Sequence, residues 1–218
     1  MDIARRTVVP VLALSLVLAT APAQATAIPA PRLAAHVADV PQAKLGASYQ
    51  RGCPVPPGRL RLIEMNHWGF DGSVHRGELI VHQDVVRPLL RVFAQAFDGR
   101  FPIRRMRVMA EYGGSDAAAM ADDNTSAFNC RRVTGDPRAL SRHSYGDAVD
   151  INPLENPYVD GSGGVHPAAG ARYLDRDRPV KGMIVPGDVI MTGMNSAGWQ
   201  WGGRWQPPDF QHFSADGT

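Results

Sequence analysis

The sequence lacks the features that mark cysteine-rich zinc modules, nucleic-acid-binding proteins and multi-span membrane proteins. It has only two cysteines among 218 residues, Cys53 and Cys130, and no CxxC spacing, so a cysteine-based metal site is not expected. No basic run is interleaved with aromatic residues, and we therefore expect no nucleic-acid partner. No stretch after residue 25 is apolar enough to span a bilayer. Internal repeats are also absent, and the length fits one domain with a terminal segment.

The first residues have the pattern of an export signal. Two arginines precede an apolar run at residues 8–19, and the letters AQA at 23–25 fit a signal-peptidase site. The alternative is an uncleaved N-terminal anchor, although a spanning helix needs about 20 apolar residues. The sequence therefore predicts a signal peptide at residues 1–25 and a secreted mature protein with no stable membrane insertion.

The segment after the signal is rich in alanine and proline and shows no periodicity, so residues 26–51 are predicted to be a linker. The folded domain is then expected over residues 52–218. Because an exported chain meets an oxidising environment, Cys53 and Cys130 are predicted to form a disulfide.

Hydrophobic patterning predicts a mixture of strands and helices. One helix is expected after Asp84 as its N-cap and before the stop at Asp98-Gly99, and a second between Asp188 and Gly198. The polar segment 113–140 indicates a functional loop with short ordered pieces, and the segment 153–180 indicates a surface loop. Strands are predicted at residues 59–65, 78–82, 105–112 and 145–152. Without regular βαβ alternation the fold class is α+β, with a small, mainly antiparallel sheet and flanking helices.

The stretch SRHSYGDAVDI, residues 141–151, carries the first candidate functional residues. A strand through this stretch places Asp150 on one face, and Gly146 allows the chain to bend so that His143 returns over the same face. Zinc accepts both histidine nitrogen and carboxylate oxygen. The spacing therefore indicates a zinc site on the sheet face, with a third ligand still required.

The third candidate ligand lies in PPDFQHFS near the C-terminus. His212 is the histidine, and Asp209 comes three residues before it. The two side chains can act together only if the chain turns or bulges there, which the two prolines upstream favour. His212 would then bind the metal, while Asp209 serves as general base for metal-assisted hydrolysis.

These two motifs, with SRHSYGDAVDINPLENPYV and GWQWGGRWQPPDFQHF around them, resemble the VanY-type zinc peptidases. That family comprises D-alanyl-D-alanine carboxypeptidases and L-alanyl-D-glutamate peptidases, which cut peptidoglycan stem peptides. The family pattern Ser-x-His-x-x-Gly-x-Ala-x-Asp is matched from Ser141 to Asp150, and the acid-x-x-His pattern is matched by Asp209 and His212. Many relatives have glutamate where this chain has Asp209.

The resemblance implies Zn²⁺ held by His143, Asp150 and His212, with Asp209 as general base and acid. It also implies an arginine that stabilises the oxyanion. We assign this role to Arg131, which lies in the segment NTSAFNCR that resembles one exported branch of the family. The candidate substrate contacts are Ser126, Asn129, Ser141 and Trp205.

Two nearby features have alternative interpretations. Asp116 has two possible roles. It either contacts the substrate amine or the groups around the metal, or it is an ordinary surface aspartate. Trp199 and Trp201 either wall the cleft or pack in the core.

The expected function is hydrolysis of peptidoglycan stem peptides by an exported, monomeric zinc metallopeptidase, with D-alanyl-D-alanine as the favoured bond. The alternatives are an endopeptidase that cuts L-alanyl-D-glutamate or a cross-bridge, and a peptidoglycan-binding module without catalysis. A cation placed for a C-terminal carboxylate would favour the carboxypeptidase.

Overall fold

The computed structural model describes residues 31–133 and 136–218. The predicted signal peptide and the first residues of the predicted linker lie outside this range. The helices are α1 (Gln42–Leu45), α2 (Val86–Asp98), α3 (Asp116–Ala121) and α4 (Val189–Ser196). The strands are β1 (Ala35–Asp39), β2 (Leu60–Trp68), β3 (Val74–His82), β4 (Arg105–Met106), β5 (Asn124–Thr125), β6 (Arg132–Val133), β7 (Asp136–Leu140), β8 (Ala148–Asp150), β9 (Tyr158–Val159), β10 (Val165–His166), β11 (Gln200–Trp201) and β12 (His212–Ser214). Short 3₁₀ turns join them at Gly46–Ser48, Pro57–Arg59, Gln83–Val85, Met109–Tyr112, Arg142–Tyr145, Ala168–Tyr173 and Gly202–Arg204.

The first sheet has the strand order β1-β2-β3 and is antiparallel throughout. Strand β2 covers the strand predicted at residues 59–65 except for its first residue, and β3 contains the strand predicted at 78–82. Ile63, Leu79 and Val81 point from this sheet into the main hydrophobic core. Most other strand pairs are also antiparallel, whereas β4 and β5 pair in parallel. The α+β class with small antiparallel sheets is therefore confirmed.

The beginning of the folded unit differs from the prediction. The linker was expected to continue to residue 51, but β1 pairs with β2, with Ala35 opposite Met65, and α1 buries Leu45. The compact unit runs from Arg32 to Thr218. We therefore place the start of the folded unit at Arg32 rather than at residue 52.

Helices α2 and α4 pack against each other beneath the first sheet. The predicted cap of α2 is wrong: Asp84 lies in a 3₁₀ turn, and the helix begins after Val85 without a side-chain cap. The helix ends at Asp98, as predicted. The predicted cap of α4 is confirmed, because the Asp188 carboxylate accepts a hydrogen bond from the Met191 backbone N–H at 2.7 Å. No described helix has the length and apolar character needed to cross a membrane.

The second sheet has the order β11-β12-β8 and carries the predicted metal motifs. The strand predicted at residues 145–152 is shorter than expected, because a 3₁₀ turn at Arg142–Tyr145 precedes β8. Gly146 joins the two with φ +73°, and a Cβ there would lie 2.7 Å from the His82 backbone nitrogen. Glycine at this position thus allows both the left-handed bend and the close approach to β3.

Other boundaries differ because the elements are too short to create a periodic pattern. The strand predicted at residues 105–112 ends at Met106, and a 3₁₀ turn follows at Met109–Tyr112. The segment 113–140, predicted to be a loop with short ordered pieces, contains α3 and three short strands, in agreement with that prediction. The segment predicted as a loop at 153–180 contains β9, β10 and a 3₁₀ turn.

Cys53 and Cys130 form the predicted disulfide. The bond joins the segment before β2 to the segment before β6, beside a second, smaller apolar cluster that includes Leu60 and Phe128. It should stabilise the fold by about 2–4 kcal/mol, since it closes a long loop in the unfolded chain.

A buried ionic cluster lies beneath the segment that follows β8. Arg104 donates to Asp123 at 2.7 Å and to Glu155 at 3.1 Å, and both carboxylates are 2% exposed. Burial, with the charge of Asp123 as the next cause, raises the pKa of Glu155 to about 7. The folded protein therefore holds a proton that the unfolded chain releases.

This cluster predicts a pH dependence of stability. The contribution of Glu155 is fully present below pH 4.5, the ordinary pKa of glutamate, and is lost as pH rises through about 7. Across this pH window, the free energy of unfolding should fall by on the order of 1–3 kcal/mol less in Glu155→Gln than in the wild type. Urea unfolding at both ends of the window tests this, with the more exposed Glu111→Gln as control. Equal pH slopes in the wild type and Glu155→Gln would show that Glu155 does not hold the proton.

Candidate active site

The two predicted motifs come together on the second sheet. His212 in β12 lies directly opposite Asp150 in β8, and His143 projects from the 3₁₀ turn before β8. All three side chains are buried. The turn at Gly146 brings His143 back toward Asp150, as the sequence predicts.

The three side chains present their donor atoms to one point. His143 Nε2 lies 3.2 Å from Asp150 Oδ2, and His212 Nδ1 lies 3.0 Å from Asp150 Oδ1. The two histidine nitrogens are 3.2 Å apart. A tetrahedral zinc ion with ligand bonds of 2.0–2.2 Å separates its donors by about 3.4 Å. The donor set and its spacing therefore fit zinc, with a fourth position left for water or substrate.

Hydrogen bonds on the far side of each ring determine which nitrogen faces this point. The Ala127 carbonyl oxygen lies 2.5 Å from His143 Nδ1, and the Thr218 main-chain oxygen lies 3.3 Å from His212 Nε2. A carbonyl oxygen can only accept, so both of these outer nitrogens donate. The inner nitrogens then keep their lone pairs for a metal, which is the usual arrangement of metal-binding histidines.

The charges of the site favour an ionised Asp150. Burial alone would raise its pKa, but the two facing histidines hold the pKa of Asp150 well below its usual range. Burial likewise opposes protonation of His143, and the charge of Asp150 overcomes it and raises the pKa of His143. The pair is thus a strongly polar centre inside the protein, which a divalent cation would neutralise.

Asp209 lies beside the triad at the start of the turn that leads into β12. The His212 backbone N–H donates to the Asp209 carbonyl oxygen at 3.4 Å, so the chain turns between them, as the sequence requires. Glycine at position 202 allows the main chain of Asp209 to pack closely against it, because a Cβ there would lie 2.9 Å from the Asp209 carbonyl oxygen. The carboxylate oxygen Oδ1 of Asp209 is shielded from solvent and has no hydrogen-bond partner.

The surroundings of Asp209 favour a protonated carboxyl group in the metal-free protein. Burial, followed by repulsion from Asp150, raises the pKa of Asp209 to about 7. A bound cation would oppose this shift, since positive charge favours the ionised form. In the metal-free protein Asp209 therefore exchanges its proton near neutral pH, and a bound cation would shift it toward the carboxylate.

The triad and Asp209 open into a cavity of about 360 Å³. Arg131, Ser141 and Trp205 line it, and the Trp205 ring lies 5.3 Å from the His212 ring. Trp199 and Trp201 are instead buried in the main hydrophobic core, in keeping with the packing interpretation of these two residues.

The other two candidate contacts support the site from behind the cavity. Ser126 pairs through its main chain with Asp150, with N–H to O distances of 3.0 and 2.9 Å. The Asn129 side chain donates to the Gly114 carbonyl oxygen. The Asn129 backbone N–H donates to the His143 carbonyl oxygen. Neither residue is among those that line the cavity.

Both arginines that line the described part of the cavity are paired with aspartates. Arg131 contacts Asp116 at 2.8 Å. Arg142 contacts Asp147 and, at 2.7 Å, Asp216. Asp116 therefore belongs to the cavity wall, and its side chain is only 18% exposed. Of the two alternatives left by the sequence, an ordinary surface aspartate is thus the one that the structure does not support.

Tyr158 is among the cavity-lining residues that sequence reasoning missed. Tyr158, in β9, lies in the segment predicted to be a surface loop. Its main chain forms an isolated antiparallel β-bridge with that of Asp209. Its ring stacks on His166 in β10 at 5.6 Å, and His166 contacts Asp160 at 2.7 Å. A two-residue strand offers no periodicity, so only the aromatic residue inside a Gly- and Asp-rich stretch could have indicated this position.

Comparison with known families supports the same interpretation. The family model described as D-alanyl-D-alanine carboxypeptidase matches residues 134–215, which include His143, Asp150, Asp209 and His212. The predicted resemblance to this family is therefore confirmed over the segment that forms the triad. No curated protein and no solved structure matches the chain.

Proposed function

We propose that this chain is an exported zinc peptidase that acts as a monomer on peptidoglycan stem peptides, with the D-alanyl-D-alanine bond as its favoured substrate. One observation carries the proposal. Within the matched segment, the His143, Asp150 and His212 donors share a cavity with the unpartnered carboxylate oxygen of Asp209. Metal ligands beside a buried carboxyl group form the arrangement that metal-assisted peptide hydrolysis requires.

His143 Nε2, Asp150 and His212 Nδ1 would hold the zinc ion. When bound, zinc would polarise the scissile carbonyl and make water a stronger nucleophile. The Ala127 and Thr218 main-chain oxygens keep the two imidazoles in the orientation that this binding needs.

Asp209 would move the proton. Its Oδ1 accepts a proton from the attacking water and then passes it to the nitrogen of the leaving amine, so that the amine departs neutral. Burial raises the pKa of Asp209 and a bound cation would oppose that shift, so the ionised carboxylate needed as the base is favoured when the metal is present.

Arg131 would stabilise the negative charge that develops on the carbonyl oxygen of the substrate. It lines the cavity, and its position is held on both sides by the main chain. Its backbone N–H donates to Ser144 Oγ at 3.0 Å, and its carbonyl oxygen accepts a hydrogen bond from the Ser141 N–H at 2.9 Å. A preorganised cation of this kind is effective because it needs no rearrangement as the charge appears.

An extracytoplasmic location is supported by two observations. The disulfide between Cys53 and Cys130 persists most readily in an oxidising compartment. Peptidoglycan, the expected substrate of the related carboxypeptidases, also lies outside the cytoplasm. The predicted signal peptide would direct the chain there.

A second candidate is an endopeptidase acting on L-alanyl-D-glutamate or a cross-bridge. The specific observation in its favour is that both described cavity arginines are already paired, Arg131 with Asp116 and Arg142 with Asp147 and Asp216. A carboxypeptidase needs a group that recognises the C-terminal carboxylate, and here such a carboxylate would have to compete with an aspartate. An endopeptidase has no such requirement.

Mass spectrometry of muropeptides incubated with the purified mature protein tests the proposal. The reactions are run as purified, after chelation, and after chelation with added zinc. Chelator-sensitive loss of a single alanine supports the carboxypeptidase, and zinc-dependent cleavage into larger fragments supports the endopeptidase. A different result would show that the proposed activity is wrong. If no product forms in any condition, and muropeptide fragments bind both the wild type and His143→Ala, the chain is a binding module.

A further inference from the structure

The Arg131 guanidinium has one side-chain partner among the described residues, the carboxylate of Asp116. The Arg131 Nη2 to Asp116 Oδ2 distance is 2.8 Å, and the two side chains are 22% and 18% exposed. Both residues line the cavity that contains the triad. Because the pair is largely shielded from water, it should be stronger than a typical surface ion pair, which contributes about 0–1 kcal/mol.

The remaining contacts of Arg131 leave part of its guanidinium available. Nη1 donates to the Arg132 carbonyl oxygen at 3.2 Å, and Nε is buried without an acceptor. A buried N–H group without a partner is costly, so it marks a position where a bound molecule can contribute an acceptor. The carbonyl oxygen of a substrate is such an acceptor.

Arg142 shows what a purely structural arginine looks like in the same cavity. Its guanidinium meets two carboxylates, Asp147 and Asp216, and lies over the Tyr145 ring at 4.7 Å. Both arginines have a buried Nε without an acceptor, but Arg131 faces a single carboxylate where Arg142 faces two. This difference favours Arg131 over Arg142 as the group that meets the substrate.

We propose that Asp116 is a positioning residue that fixes the Arg131 guanidinium for the reaction. The inference rests on the proposed peptidase function. Asp116 begins α3 and lies 15 positions before Arg131, so the ion pair joins two separate segments across the cavity wall. Asp116 touches neither the scissile bond nor the metal; it acts by restricting the directions in which the N–H groups of Arg131 can point.

A double-mutant cycle on kcat and KM provides the first test. Arg131→Ala should lower kcat by about 10²–10³-fold, as loss of an oxyanion donor does. Asp116→Asn should lower kcat by about 10–100-fold with little change in KM or bound zinc, because the guanidinium remains but is misplaced. The double variant should be no slower than Arg131→Ala, since Asp116 acts only through Arg131.

Three outcomes would overturn the proposal. If the two losses multiply in the double variant, Asp116 acts independently of Arg131. If Asp116→Asn raises KM for substrates with a free amine while kcat is unchanged, Asp116 binds the substrate amine instead. If Asp116→Asn keeps full activity, the ion pair has no role in catalysis. Asp122→Asn is the matched control, since Asp122 pairs with Arg105 at 3.0 Å outside the described cavity lining.

A second measurement does not depend on activity. In nitrogen-detected NMR, the guanidinium of Arg131, assigned by its loss in Arg131→Lys, should rotate slowly in the wild type and rapidly in Asp116→Asn. Rapid rotation already in the wild type would refute the restraint. If the wild type cleaves no muropeptide, the proposed function fails, and the NMR result still decides whether Asp116 holds Arg131.

Discussion

His143→Ala should lose zinc binding and, with it, nearly all peptidase activity. The variant removes one of three donors, and the remaining pair, Asp150 and His212, is too small a set for a catalytic zinc site, which usually has three protein ligands. Metal analysis should give about one zinc per wild-type chain and far less in the variant. Activity on muropeptides should fall to background.

The design must separate loss of metal from loss of fold. Chelated wild type provides the first comparison, because added zinc should restore its activity but not that of His143→Ala. His36→Ala is the control for replacing a histidine, since His36 is exposed on β1 and lies outside the cavity lining. Circular dichroism should be similar for all three proteins. A His143→Ala variant that kept stoichiometric zinc and full activity would show that the triad is not the metal site.

Two members of the triad, His143 and Asp150, were predictable because they are close together in the sequence. His143 and Asp150 are seven positions apart with a glycine between them, and a single left-handed bend at Gly146 is enough to bring them together. His212 required long-range pairing, with β12 next to β8, and the sequence contains no direct sign of which strands pair. There the family resemblance supplied what local patterning could not.

The backbone groups that orient the site were not predictable. The Ala127 carbonyl oxygen fixes the His143 ring, yet any residue type carries the same oxygen. The ion pair between Asp116 and Arg131 was hidden for a different reason. It joins two segments of an irregular stretch, and neither segment has a repeating pattern that would show which face meets the cavity.

The strand β1 was missed because it is held mainly by backbone hydrogen bonds. It is an edge strand, and four of its five side chains are exposed. A strand that buries almost nothing has no need of alternating apolar residues, and its Ala- and Val-containing sequence therefore resembled a linker. Edge strands of this kind are the least visible elements in a sequence.

Asp209→Asn should keep zinc and lose catalysis. The substitution preserves size and removes the group that accepts and returns the proton, so kcat should fall by about 10²–10⁴-fold. The zinc content should match that of the wild type, because Asp209 is not among the three converging donors. Parallel measurement of bound zinc and of muropeptide cleavage separates this variant from His143→Ala, in which both quantities fall.

Asp209→Glu is the informative partner of that variant. It restores a carboxylate but extends it by one methylene into a site where Asp209 Oδ1 is already shielded from solvent. If the carboxylate is the base, Asp209→Glu should recover much of the activity that Asp209→Asn loses, because it restores the group that accepts the proton. If both variants cleave as fast as the wild type while retaining zinc, another group moves the proton. If both lose zinc, Asp209 supports the metal site, and its part in proton transfer would have to be abandoned.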